Sequence, residues 1–172
     1  MIFAHGPAGF LAAYLYRKYS KKIKFPDKQV VYLFVISFIG GIILDIDLFY
    51  YYFVSAEISH RQLPTHSLFI WLLVFLIIFS SGKLLKNNFI KIAGIFFFLG
   101  NLSHLLCDTL YAGVMFSYPF SNKLIGIQHI PFISGDFYSN NILLVNYSLE
   151  SLIITFFCII IIKYIIHNLK II

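Results

Sequence analysis

Between residues 142 and 166 the chain carries only two charged side chains, Glu150 and Lys163. A hydrocarbon layer about 30 Å thick is crossed by about 20 helical residues, so this segment is long enough to span a bilayer. Inside lipid every backbone N–H and C=O must be satisfied within the protein, which leaves helices or a closed barrel. Nothing here alternates apolar and polar residues over strand-length segments, so the segment reads as a helix. Four more apolar stretches precede it, at 2–16, 29–53 (interrupted by Asp45 and Asp47), 68–80 and 89–107. With 60% of residues hydrophobic, 12% charged and a mean hydropathy of +0.87, too few polar groups exist to cover a soluble surface. The expected fold is therefore all-α: a polytopic membrane helical bundle of 4–5 spans, forming one integral membrane domain over residues 1–172. Its helices are expected at about 2–16, 29–53, 67–81, 89–108 and 142–166, with an outer loop at about 109–141. The first is short, and either spans or lies tilted and half-inserted.

A formal net charge of +6 could suggest a nucleic-acid partner, but the positions of the charges argue otherwise. Residues 17–28 hold six basic side chains, residues 82–91 three and the C-terminal end two, which together make eleven of the thirteen Lys and Arg. If five helices alternate, all eleven fall on one side, leaving Arg61 and Lys123 on the other. The positive-inside rule makes the basic side cytoplasmic. The N-terminus, residues 54–66 and the loop after residue 108 are then extracytoplasmic, and the C-terminus is cytoplasmic. A cleaved leader is not expected, because the basic residues follow the first apolar run instead of preceding it. The basic linker is read as a contact with anionic lipid, and no nucleic acid is expected. Cys107 and Cys158 both lie in apolar runs and are expected to be small core residues.

The groups capable of chemistry collect on the opposite side. His5 starts the first helix; Asp45 and Asp47 end the second; His60, Arg61 and His66 lie in the connection to the third; His104 and Asp108 end the fourth. Imidazoles and carboxylates beside hydrocarbon are costly unless paired or metal-bound. His104 and Asp108, four residues apart on a helix, share a face and can hold one divalent cation or simply hydrogen-bond to each other. Asp45 and Asp47, two apart, cannot share a helical face, so the helix is expected to end or unwind after Gly40-Gly41. Two carboxylates that close repel unless a cation lies between them. The expected ligand set for one or more divalent ions, with Zn²⁺ the expected metal, is His5, Asp45, Asp47, His60, His66, His104 and Asp108. Arg61 is either a clamp for an anionic group or the ion-pair partner of Glu57 or an aspartate. Thr65 and Ser67 either support His66 or cap the third helix. Glu150 is a first-turn carboxylate, an extra ligand or a partner for Arg61. His129 is expected to be a loop residue, and His167, on the cytoplasmic side, to be unrelated. No nucleophile elbow, phosphate-binding loop or dinucleotide glycine motif occurs.

Four ordered motifs carry a family resemblance: Ala4-His5-Gly6; Leu44-Asp45-Ile46-Asp47; His60-Arg61 with Thr65-His66-Ser67; and Gly100-Asn101-Leu102-Ser103-His104 with Asp108, followed by Gly113 and Tyr118-Pro119-Phe120. In these the chain resembles the YdjM-type inner-membrane proteins, labelled LexA-binding, membrane-associated metal-dependent hydrolases. It departs from them at Leu44, where proline is usual, at Ala4, where threonine is usual, and by one extra residue between the His-Arg and Thr-His pairs. These departures fall beside the presumed ligands. The family is in turn similar to zinc-dependent phospholipase C and P1-type nucleases, which implies several zinc ions and phosphoester hydrolysis. No feature of the sequence accounts for the LexA label, and a cytosolic repressor could not reach an outward-facing site.

The functional expectation is a metal-dependent hydrolase of the cytoplasmic (inner) membrane, with its site on the extracytoplasmic face and the lipid bilayer as its surroundings. Asp47 is expected to serve as base and Arg61 to orient the substrate, a phosphoester of a lipid or lipid-linked molecule. The competing class is a metal-stabilised scaffold or transporter subunit. A scaffold would close its ligand set, whereas an enzyme leaves positions open to water.

Overall fold

A computed structural model of the chain describes residues 3–20, 25–54, 59–127 and 136–169, without the side chains of 136–140 and 167–169. Helix α1 spans His5–Tyr19, α2 Asp27–Ile42 and α3 Asp47–Phe53; α4 spans Leu68–Leu84, α5 Asn88–Thr109 and α6 Asp136–Leu169. Among the described residues there is no strand, only an isolated antiparallel bridge between Val114 and Ile125. The chain is an all-helical bundle. α5 packs against α1, α2 and α4, and α6 lies against α1.

Three segments are long and apolar enough to cross a membrane: Asp27–Phe53, Asn88–Thr109 and Asn141–Ile166. α4, at 17 residues, and α1, at 15, are shorter. Only 6% of the apolar window of α6 is buried inside the bundle. A helix that is hydrophobic all round and this exposed has lipid as its solvent. Cys158 is accordingly exposed on α6, so the expectation of a core residue fails there, while Cys107 is buried. α6 also begins at Asp136, several residues before the apolar run, because its first turns continue in polar sequence.

The second apolar stretch is not one continuous helix. α2 stops at Ile42, a 3-10 turn covers Ile43–Ile46, and α3 restarts at Asp47. The last four carbonyls of a helix lack intrahelical partners. Two of these are met from α5: Asn101 Nδ2 donates to Gly40 O at 2.9 Å, and a ring nitrogen of His104 reaches Gly41 O at 2.7 Å. Close approach makes this possible, since a Cβ on Gly100 would collide with the carbonyl oxygen of Ser37. Small residues at such crossings let backbones touch within membranes. Below this contact, Phe10, Ala13, Val30, Leu33, Phe34 and Phe96 form the main core.

α1 is anchored from a distance. Ala4, at its N-cap, offers no side-chain hydrogen bond. Instead Glu150 Oε1 of α6 accepts from Phe3 N at 2.5 Å and Ala4 N at 3.1 Å. A carboxylate at a helix N-terminus also opposes the helix dipole favourably. The outcome for Glu150 is thus a cap, made across the bundle to α1 instead of within its own first turn.

Candidate metal centre

Four parts of the chain converge where α2 breaks. α1 contributes His5 at its first residue, and the break itself contributes Asp45 and Asp47. Two 3-10 turns, His60–Gln62 and Pro64–His66, contribute His60, Arg61 and His66. α5 contributes Asn101, His104 and Asp108, whose spacing of three and four residues places them on one helical face. His5, His66, His104, Asp47 and Asp108 are buried.

Two of the imidazoles, those of His104 and His66, are aimed by their second nitrogen. A carbonyl only accepts hydrogen bonds, so His104 carries its proton on Nδ1 toward Gly41 O, and its Nε2 presents a lone pair. His66 Nδ1 lies 2.9 Å from Asp47 Oδ2, so it too carries a proton on that side. Thr65 donates its hydroxyl to the same Asp47 oxygen, and Trp71 Nε1 ties down Thr65 O at 2.6 Å. The two Nε2 atoms then face each other at 3.3 Å. Around them stand Asp108 Oδ2, 3.4 Å from His66 and 3.6 Å from His104, and Asp45 Oδ1, 4.0 and 3.7 Å from the same two atoms. The His5 ring stacks on that of His104 with centroids 3.7 Å apart, and its Nε2 is 3.5 Å from Asp108 Oδ1.

These residues form three overlapping groups able to hold a metal ion: His5, His104 and Asp108; Asp45, His66 and His104; Asp47, His60 and His66. Within each, ligand atoms lie within 4.8 Å of one another. All seven residues singled out in the sequence therefore adjoin, linked through His104 and His66. The donor set fits a divalent cation on two further counts. Asp47 Oδ1 and His60 Nδ1 are buried without a hydrogen-bond partner, an expensive state that a cation would relieve. Three carboxylates also face one permanent cation, Arg61, leaving two negative charges that one divalent ion balances.

Two histidines outside the apolar helices show how the environment divides their roles. Burial, followed by the neighbouring Arg61 cation, lowers the pKa of His60 to about 4, so its ring is neutral near pH 7. Burial works in the same direction on His66, but contacts with Asp108 and Asp47 overcome it and hold that group at about 9. Without a metal ion, then, a proton on His66 serves the surrounding carboxylates.

Of the alternatives for Arg61, the structure has the ion pair. Its Nε lies 2.9 Å from Asp108 Oδ2 and its Nη2 3.2 Å from Asp108 Oδ1, a bidentate contact, and its guanidinium lies 5.2 Å from the Tyr111 ring centroid. Glu57, the other candidate partner, and His129 lie outside the described residues, as does the side chain of His167. Ser67 donates to Tyr118 O at 2.6 Å, which docks the segment after α5 against the site.

A cavity of about 410 Å³ adjoins the cluster, lined by Asp45, His60 and Arg61 on one side and by Tyr51, Tyr111 and Asn146 among others. Its apolar edge includes the exposed Phe3, Tyr52, Leu143 and Tyr147. Sequence reasoning missed Asn101, Tyr111 and Asn146. Asn101 could have been found from its position on the His104–Asp108 face; Tyr111 and Asn146 reach the site only through tertiary packing.

The family described as YdjM inner membrane protein matches residues 1–170 of the chain. No curated protein matches it, and no solved structure does.

Proposed function

The chain belongs to the YdjM inner membrane protein family, and on that premise we propose that it is a metal-dependent hydrolase embedded in the membrane, acting on a phosphoester of a lipid or lipid-linked substrate. The observation that carries this reading is the open side of the cluster: Asp45, His60 and Arg61 face a cavity large enough for a ligand headgroup. A purely structural metal site closes its ligand set, whereas a catalytic one keeps a position accessible. The exposed aromatic and aliphatic edge formed by Phe3, Tyr52, Leu143 and Tyr147 suits a substrate that enters sideways from the bilayer.

The proposed ligands are His5, Asp45, Asp47, His60, His66, His104 and Asp108, and the proposed ion is Zn²⁺, in one or more copies. When bound, such an ion supplies Lewis acidity and brings the pKa of a water to about 7. The chain's own groups do the remaining work. Gly41 O and Asp47 orient His104 and His66 through their Nδ1 protons. Arg61 holds Asp108 in place with two donors and has further N–H groups beside the cavity for an anionic substrate oxygen. Of the two aspartates in the 45–47 segment, Asp45 lines the cavity, so we assign it the acceptance of the water's proton; Asp47 is assigned the orientation of His66.

The distribution of charge supports an extracytoplasmic site. Arg17 and Lys18 lie at the far end of α1 from His5, and Lys163 lies thirteen residues beyond Glu150 on α6, about 20 Å along the axis. The basic residues thus sit at the end of the bundle remote from the cluster. The deciding experiment incubates the purified, zinc-loaded protein with a panel of phospholipid and lipid-linked phosphoesters and follows the release of phosphate or alcohol. Turnover by wild type that is lost in Arg61→Gln, a cavity residue outside the ligand set, while bound zinc is retained supports the reading. Full zinc occupancy with no turnover on any member of the panel favours the structural role.

A further inference from the structure

A second cavity, of about 610 Å³, lies at the opposite end of the bundle among α1, α2 and α6. We propose that it binds one anionic phospholipid, with the acyl chain along the helices and the phosphate held by Arg17, Lys18 and Lys163. This site shares no residue with the metal cluster and does not depend on the hydrolase reading.

The helical register gives the cavity its direction. α1 lines it with Phe10, Tyr14, Arg17 and Lys18, a spacing of four, three and one that keeps to one face over about 12 Å. The facing walls come from the same stretch of α2 and α6, including Phe38 and Phe157 beside the deep end. The deep end is therefore aromatic and aliphatic, and the outer end carries three cations. Among the described residues that line it there is no carboxylate. Arg17 has a distant contact with Asp27, at 3.9 Å, but that carboxylate is 90% exposed, and such pairs contribute little. The Arg17 guanidinium also rests over the Phe34 ring at 5.8 Å, and the Lys18 ammonium over the Tyr19 ring at 5.7 Å, so both charges lie against aromatic rings at the rim.

This arrangement matches one ligand chemistry. A free phosphate would leave the long apolar trough unused, and an apolar helix of another copy would leave three cations facing hydrocarbon. A zwitterionic lipid fills the trough but brings its own cation to the basic rim. An anionic phospholipid satisfies both ends, and basic pockets between membrane helices are known to take such headgroups. The volume falls within the range of about 300–1,000 Å³ typical of ligand sites.

The test is native mass spectrometry of the full chain, purified in mild detergent and titrated with phosphatidylglycerol or phosphatidylcholine. Wild type is expected to retain one phosphatidylglycerol per chain in preference to phosphatidylcholine. Arg17→Gln, Lys18→Gln and Lys163→Gln should each weaken that retention by about fivefold, and Lys83→Gln, in the exposed last turn of α4, should not change it. Val35→Trp, which fills the trough and leaves the charges intact, should remove the bound lipid. Thermal unfolding by circular dichroism checks that each variant folds. Equal retention of the two lipids by wild type overturns the proposal, as does wild-type retention in either the charge variants or the folded Val35→Trp protein.

Discussion

The Nε2 atoms of His66 and His104 face each other at 3.3 Å, although the residues are 38 apart in the chain. Because Asp47 and Gly41 O take the Nδ1 protons, both facing nitrogens are lone-pair donors when the rings are neutral. Two such donors at this distance need something positive between them, either a proton on His66 or a metal ion.

Removing one donor from that pair tests the metal reading directly. His104→Ala combined with Asp108→Ala takes the shared ligand His104 from two of the three groups and a second ligand from one of them. The expected result is a loss of at least one equivalent of zinc per chain, measured by plasma mass spectrometry on protein purified without chelator. Wild-type zinc content in the folded double variant would sink the assignment.

Proton release follows from the same geometry. Zinc bound as proposed would displace the proton that His66, held at about 9, carries at pH 7 in the metal-free protein, whereas His60, lowered to about 4, has none to lose. Zinc titrations by calorimetry at pH 7 in two buffers of different ionisation enthalpy should therefore report about one proton released per chain. In the metal-free protein the linkage has a definite sign. The raised His66 value contributes stability that is complete below its ordinary 6.5 and is lost as pH rises through about 9. Thermal unfolding of chelator-treated protein should show this decline, and His66→Gln should flatten it.

On the proposed metal reading, Asp47 would act both through its own Oδ1 and by orienting His66. Asp47→Ala leaves His66 Nδ1 without its 2.9 Å acceptor and also frees the Thr65 hydroxyl. Loss of an orienting carboxylate of this kind weakens zinc binding by about 10–100-fold. Competition with a chromophoric chelator measures it, and an unchanged affinity would show that His66 is held by other contacts.

The α2–α5 crossing should tolerate no side chain at residue 100. In Gly100→Ala the new Cβ meets the backbone oxygen of Ser37, which cannot rotate away, and the expected destabilisation is about 1–3 kcal/mol. Gly94→Ala is the control, because its Cβ would meet mainly the Ile78 side chain, at 3.0 Å, which can adjust. Equal melting temperatures for the two variants would contradict the close approach.

Much of the site was legible because its chemistry is rare in this composition. With 12% of residues charged, acids and histidines at the ends of apolar runs stand out, and the break near Asp45 was readable from two carboxylates that cannot share a helical face. Roles were less legible than positions. Arg61 left a choice between clamp and ion pair that only its bidentate contact with Asp108 resolves. Glu150 looked like a first-turn carboxylate of its own helix, yet it receives two amides from the start of α1. Cys158 looked like core because an apolar run does not say whether protein or lipid surrounds it.

The sequence by itself determined the class of fold, because stretches this apolar have only one way to satisfy their backbones in lipid. It also determined which side chains were costly enough to require a partner. Tertiary structure alone decided which partner each one has. Hydrogen-bond direction and ion pairing depend on contacts of a few ångströms between residues far apart in the chain, such as His104 with Gly41 O, His66 with Asp47 and Glu150 with Ala4. No periodicity along one helix encodes those distances; they arise when α5 seats against the broken end of α2 at Gly100.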